Sequence, residues 1–403
     1  MGKRVKERVA HHVAELPKSG IRKFFDIVAQ SKDVISLGVG EPDFDTPWHI
    51  SRAAISCLEG GGTHYTSNLG TPQLRQAICG YIERRFGAVY DWQSQVLVTV
   101  GVSEAIDLAI RAICSPGDEV LYHEPCFVSY APTIRLAHAV PVAVETRQED
   151  AFRLTVAALE KKVGPKTKAI LLNFPCNPTG ATLGREDIAS ILEFAERHDL
   201  IVLADEVYSE LNYGEAEAVK NGEHEFLPSF AADSRYHDRV ILLNGFSKSW
   251  AMTGYRLGYA CGPHDIIDAM MKIHQYGIMS APTLAQAAGV EAMNNGDNDV
   301  EVMRREYKRR RDFLVPALNA LGLETVMPHG AFYLFPRLDG TGLDSETFCM
   351  TLLKDYGVAC VPGEAFGACG KGFMRISYAT SMKKLEIAIE RIGRMMENCG
   401  TRK

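Results

Sequence analysis

A lysine just beyond an apolar strand, with an arginine eight residues further on, is a constellation that can hold a phosphorylated aldehyde. Residues 239–244 (RVILLN) form an apolar, β-branched run that reads as a buried parallel strand. The run delivers Gly245, Phe246, Ser247 and Lys248, and Gly254, Arg256 and Gly258 follow. In an open α/β sheet, ligands bind beyond the carboxyl ends of such strands. A lysine placed there can form a Schiff base with an aldehyde. Arg256 offers a planar fork suited to phosphate, Ser247 adds a hydroxyl, and the glycines let backbone come close. Together these are what pyridoxal 5'-phosphate requires. The plainer alternative is a surface lysine and arginine in a glycine-rich loop.

Four more strand ends carry polar groups. Val100 to Ala105 (VGVSEA) is a strand passing into a helix, whose amides bind anions, with Val102 and Ser103 at the turn. N-capping by Ser103 is the simpler reading. Glu124 to Tyr130 (EPCFVSY) carries Phe127, a ring that can stack or simply fill the core. Asn177-Pro178-Thr179-Gly180 is turn chemistry that does not itself require Asn177. Asp205 ends the apolar run 200–203 and needs a cationic partner, which a pyridinium nitrogen supplies. Tyr208 lies just beyond. A structural carboxylate–arginine pair remains open for Glu206.

The elements that must position these groups follow from periodicity. Strands are expected at 95–100, 119–124, 139–145, 168–174, 200–205, 239–244 and 256–262, with helices at 103–114, 155–162 and 185–198 among them. Seven strands with mostly helical crossovers imply an α/β fold, a mostly parallel sheet covered on both faces. The last strand follows its predecessor after a short loop, so it is free to run antiparallel. Thr71-Pro72 is a helix start, and that helix runs to about Phe86. Residues 212–238 read as an excursion over the site entrance. A helix at 281–294 and a break at 295–299 precede a long helix, 300–321. Its run Arg304, Arg305, Lys308, Arg309, Arg310 and Arg311 reads as a solvated face joining the domains. Residues 330–336 (GAFYLFP) read as an alternating strand in a smaller α+β unit at about 322–403.

The lysine segment resembles the signature of the class I and II aminotransferases, pyridoxal-phosphate enzymes of fold-type I. Gly245, Ser247, Lys248, Gly254, Arg256 and Gly258 all match it. Gly40, Pro42, Asp43, Phe44, Thr46 and Pro47 resemble a second family segment, and 361–367 with 373–378 a third. The resemblance spans about Ser19 to Tyr378. It implies a seven-stranded large domain at 49–296, and a small domain built from 297–403 with part of an N-terminal arm at 1–48. It implies that Lys248, Asp205 and Tyr208 are catalytic. Val102, Ser103, Phe127, Asn177, Ser247 and Arg256 would hold the cofactor, Tyr65 would reach the phosphate of the other subunit, and the enzyme would be a homodimer. Ile21, Gly40, Phe127, Asn177 and Arg375 would face substrate, Arg375 pairing with its α-carboxylate.

Composition agrees with a soluble enzyme. The chain has 403 residues, 46% hydrophobic and 23% charged, and a net charge of -6 without a basic block, which argues against nucleic acid. Met1 to Arg8 lacks the apolar core of a signal peptide, and no run approaches a membrane span. Ten scattered cysteines without a C-x-x-C pair read as reduced thiols of a cytoplasmic protein rather than a metal site. Rival readings are a C–S β-lyase or a cyclopropane-forming synthase on the same scaffold, and, further off, a regulator that senses the cofactor. Dicarboxylate-specific relatives carry a distal cation near the position of Ser103 or near Gln275-Tyr276, and neither is present here. The pattern resembles most the aromatic and PatA-type subgroup, with Arg22 as a reserve cation.

Overall fold

The computed structural model describes residues 8–16, 33–214 and 226–400. The strands are β1 (Ile35–Ser36), β2 (Val96–Thr99), β3 (Glu119–Glu124), β4 (Val140–Glu145), β5 (Thr167–Asn173), β6 (Ile201–Asp205), β7 (Val240–Gly245), β8 (Gly258–Cys261), β9 (Tyr333–Leu334), β10 (Val358–Ala359), β11 (Val361–Pro362) and β12 (Met374–Ser377). Seven of them form one sheet in the order β2-β8-β7-β6-β5-β3-β4. All are parallel except β8, which runs antiparallel to both β2 and β7.

Period-two alternation explains why both faces are covered. Ile170, Leu172, Val202 and Ala204 enter one core together with Ile188, Ile191 and Leu192 of helix Arg185–Arg197. Leu171, Leu203, Ile241 and Leu243 enter another with Ile106, Leu108 and Ile110 of helix Val102–Ile113. Each such valine, leucine or isoleucine contributes roughly 1.5–3 kcal/mol by burial. An ion replacing Leu203 would face an apolar layer with no partner.

The last strands form a separate antiparallel sheet, β11-β12-β9, and β1 pairs in parallel with β10. The two ends of the chain therefore meet in the smaller α+β part. Tyr333 lies opposite Ser377, and Val361 opposite Arg375.

Several expectations change. The break at 295–299 shrinks to Gly296, between helices Thr283–Asn295 and Asp297–Ala320. A Cβ on Gly296 would lie 2.4 Å from Trp250 Nε1, so the helix ends where a tryptophan needs the space. The basic run is not wholly solvated: Arg310 and Arg311 are buried, because helical spacing turns them inward with Tyr307 and Leu314. Residues 330–336 are buried throughout rather than alternating, since Phe332 and Leu334 join one core and Phe335 another. The described part of 212–238 does not cover the site: Asn212 pairs with Gly330, Leu227 bonds Arg85, and Phe230 is core.

Candidate active site

A cavity of about 420 Å³ opens at the carboxyl ends of the parallel strands. Successive strand ends supply its walls: Val102 and Ser103 after β2, Phe127 after β3, Asn173 and Asn177 at and after β5, Asp205 and Tyr208 after β6, Ser247 and Lys248 after β7. Val39, Gly40 and Glu41 close it beyond β1, and Tyr333 and Arg375 enter from the smaller sheet. Its size is that of a small-molecule site.

The floor is a satisfied polar network. Asp205 is buried; Tyr130 donates its hydroxyl to Oδ2 at 2.7 Å and the Val207 N–H donates to Oδ1 at 3.2 Å. Asn173 Nδ2 donates to the Asp205 carbonyl at 3.0 Å, while its Oδ1 accepts the Asn177 N–H. His123 Nε2 accepts the Asn173 N–H at 3.2 Å and its Nδ1 lies 3.1 Å from the Pro125 carbonyl, the pattern of a neutral imidazole. Burial holds that imidazole down to about 4. Burial likewise pushes Asp205 up to about 6, against the pull of Tyr130, the Val207 N–H and Lys248.

Lys248 donates from Nζ to the Gly40 carbonyl at 2.7 Å. Desolvation lowers its amine to about 8; Glu41 opposes this, while Arg375 and Arg256 add repulsion. That lowering makes the unprotonated, nucleophilic amine more accessible near neutrality than in a free lysine. Tyr208 places its hydroxyl 2.8 Å from that of Tyr333. Arg375 donates to Asn177 Oδ1 at 2.9 Å and to the Gly38 carbonyl, yet its Nε is buried without a partner.

The cradle around Arg256 depends on glycines. Arg256 itself has φ 50°, which turns its side chain back toward Gly101. A Cβ on Gly101 would lie 2.7 Å from Arg256 Nη2, and one on Gly258 2.6 Å from the Gly101 carbonyl carbon. Next to this fork are the free amides of helix Val102–Ile113, whose N-cap is Gly101. Ser103 sits within the first turn and does not cap the helix, so the simpler reading of that serine fails. Arg256, helix amides and Ser103 fit a phosphate dianion; Asp205 fits a cationic ring nitrogen; Lys248 fits an aldehyde. The donor set thus matches pyridoxal phosphate on its own chemistry.

One anticipated contributor, Tyr65, is 80% exposed and does not line the cavity of this chain. Two others, Ile21 and Arg22, lie outside the described residues. Glu206, on the opposite face of the strand end, pairs with no arginine among the described residues: it accepts the Phe230 N–H at 2.8 Å, and burial pushes it up to about 7. Conversely, Tyr130, Asn173, Glu41 and Tyr333 were not anticipated. For Tyr130, which meets the Phe127 ring edge to face at 5.9 Å, the sequence carries no sign of the bond to Asp205.

Residues 32–392 match the family model for aminotransferase class I and II. The chain is 45% identical to an aspartate aminotransferase of Pyrococcus abyssi over 94% of this chain and 95% of that one. It is 43% identical to aromatic-amino-acid aminotransferase 2 of Thermococcus litoralis, over 94% and 96%. The crystal structure of an aromatic aminotransferase from Pyrococcus horikoshii superposes with a TM-score of 0.86 at 44% identity, covering 93% of this chain and 99% of that one. With this fold, this donor set and these relatives, the chain belongs to the class I and II aminotransferases, the pyridoxal-phosphate-dependent transferases of fold-type I.

Proposed function

We propose that this aminotransferase takes neutral and aromatic amino donors at least as well as aspartate, by a ping-pong exchange with a 2-oxo acid. The observation that carries the reading is the cavity's charge. Among its described lining residues the cations are Lys248, Arg256 and Arg375, and each already has a task. Val39, Val102 and Ile106 add apolar surface and Glu41 adds negative charge, which disfavours a distal carboxylate.

The residues divide the work as follows. Arg256, Ser247, Ser103 and the Val102 amide hold the phosphate. Asp205 would keep the ring nitrogen protonated, Phe127 would cover the ring face, and Asn177 and Tyr208 would donate to the phenolic oxygen. Bound there, pyridoxal phosphate supplies an electron sink for the donor's Cα–H bond. Arg375 would take the donor's α-carboxylate, with Gly40 beside the donor. Lys248 would hold the cofactor's aldehyde, and its amine, when free, would move the donor's Cα proton as acid and base.

In this reading the enzyme is a cytoplasmic homodimer, with a large domain at 49–296, a small domain at 297–403, and residues 1–48 as arm and part of the small domain. Tyr65 of each chain completes the phosphate site of the other. An exposed apolar surface supports this: Trp48 (70% exposed), Tyr65, Tyr276 (88%) and Ile278 (50%) would be covered by a second copy. Two bonds tie its loops together, Asn68 to the Met279 carbonyl and Thr283 to the His64 carbonyl.

Steady-state kcat/KM across donors, with 2-oxoglutarate as acceptor, tests the specificity. Alanine or aromatic donors should equal or exceed aspartate, because a missing charge-assisted bond costs about 1.5–3 kcal/mol, roughly ten- to a hundred-fold. A thousand-fold preference for aspartate would overturn the neutral pocket, and its loss in Arg22→Ala would identify the cation.

A further inference from the structure

Tyr333 lines the cavity from the smaller sheet, and none of the roles given above falls to it. It is fully buried, on β9, directly beside the strand that carries Arg375. Three contacts define it. Its hydroxyl lies 2.8 Å from the Tyr208 hydroxyl. Its ring lies under the Arg375 guanidinium, 4.6 Å from Cζ to the centroid. Its hydroxyl also approaches the backbone at Gly40 closely, leaving no room for a Cβ there. The Gly40 carbonyl in turn accepts from Lys248.

We propose that Tyr333 is a positioning residue that sets Tyr208 through its hydroxyl and Arg375 through its ring, so that the cofactor-facing phenol and the carboxylate clamp are placed as one unit. The proposal rests on the roles given above to Tyr208 and Arg375. A phenol has one proton and two acceptor lone pairs. If Tyr208 donates its proton to the cofactor, its oxygen is free to accept from Tyr333. A donor that also accepts is polarised and becomes a better donor. The ring face separately offers Arg375 an attractive surface that makes no demand on its N–H groups, which leaves Nε available for a carboxylate. Phenylalanine at this position would keep the second function and lose the first.

The test separates the two halves. Tyr333→Phe should weaken pyridoxal phosphate binding to the apoprotein about three-fold, read by absorbance titration, and lower kcat while leaving the donor's KM within two-fold. In a Tyr208→Phe background the same substitution should leave cofactor binding unchanged, the coupling that defines a shared interaction. Tyr333→Leu should in addition raise the donor's KM about three-fold, because the guanidinium loses one of its two aromatic faces and keeps that of Phe366, 4.7 Å from Cζ. Equal weakening of cofactor binding by Tyr333→Phe in both backgrounds would overturn the proposal, as would a change confined to KM. Reduction with borohydride keeps this distinct from the wider reading. If Lys248 is trapped and the double-mutant coupling is absent, only the role of Tyr333 fails. If Lys248 is not trapped, the roles beneath it fail.

Discussion

Arg310 and Arg375 are both buried arginines, 5% and 3% exposed, and they are treated in opposite ways. Arg310, on helix Asp297–Ala320, bonds Asp43 at 2.7 Å, Glu306 at 3.0 Å and the Tyr378 carbonyl at 3.3 Å. Against the cost of burial, Asp43 and Glu306 raise it above its ordinary value. Arg375, on β12, has no carboxylate among its recorded partners, and burial lowers it. A buried cation without an anion is costly. The scaffold satisfies its charge, and the cavity leaves one unsatisfied where a substrate carboxylate would complete it. The same contrast holds for acids: Glu210 is clamped by Arg85 from two nitrogens, whereas Asp205 has only neutral hydrogen-bond donors.

If the unsatisfied charges belong to catalysis, removing them should cost activity rather than stability. The largest effect should come from Asp205→Asn. An amide cannot hold the ring nitrogen by charge, so the half-reaction with a good donor should slow by roughly 4 kcal/mol, about a thousand-fold. Single-turnover absorbance measures it, and a near-normal rate would remove Asp205 from the ring. Next, Arg375→Leu should raise the donor's KM roughly ten- to a hundred-fold. The unfolding free energy of its apoprotein should stay within about 1 kcal/mol of wild type, since an uncompensated charge is removed along with two hydrogen bonds. Arg310→Leu should do the reverse. It should cost about 2 kcal/mol in denaturant unfolding, below the usual range for a buried pair because Asp43 and Glu306 are part-exposed and can resolvate, with KM within three-fold.

The remaining effect concerns the apoprotein and pH. Asp205 has its value raised from 3.8 to about 6, so the folded state binds the proton more tightly. Stability from this group is fully present below the ordinary value and is lost as pH rises through about 6. Asp205→Asn apoprotein should therefore gain roughly 3 kcal/mol over wild type at pH 8, and the gain should fade toward pH 4. A gain of equal size at both pH values would mean the carboxylate carries no burial penalty.

Much of this was legible in the sequence because it is local. Apolar runs such as 239–244 mark strands, and in a parallel sheet each strand's carboxyl end points to the site, so Lys248, Asp205 and Asn177 could be placed by order alone. The resemblance supplied roles that spacing does not, including those of Arg375 and Tyr208. What stayed hidden depends on packing between distant segments. Tyr333 reads as one more core residue of an apolar run; only the pairing of β9 with β12 puts it beside Arg375. Arg310 reads as one basic residue among several, and only the docking of Asp43, 267 positions away, distinguishes it from its exposed neighbour Arg309. The segment 212–238 is polar enough to be a lid, yet its described part packs against Arg85 and helix Arg185–Arg197, since Phe230 and Tyr236 are core residues that polarity averages conceal.

The most direct measurement is to reduce the reconstituted protein with borohydride and locate the pyridoxyl group by peptide mass spectrometry. The label should fall on the peptide that carries Lys248, and Lys248→Ala should lose both the visible absorption band and the label. A label on another lysine, or full activity in Lys248→Ala, would contradict the assignment of the site.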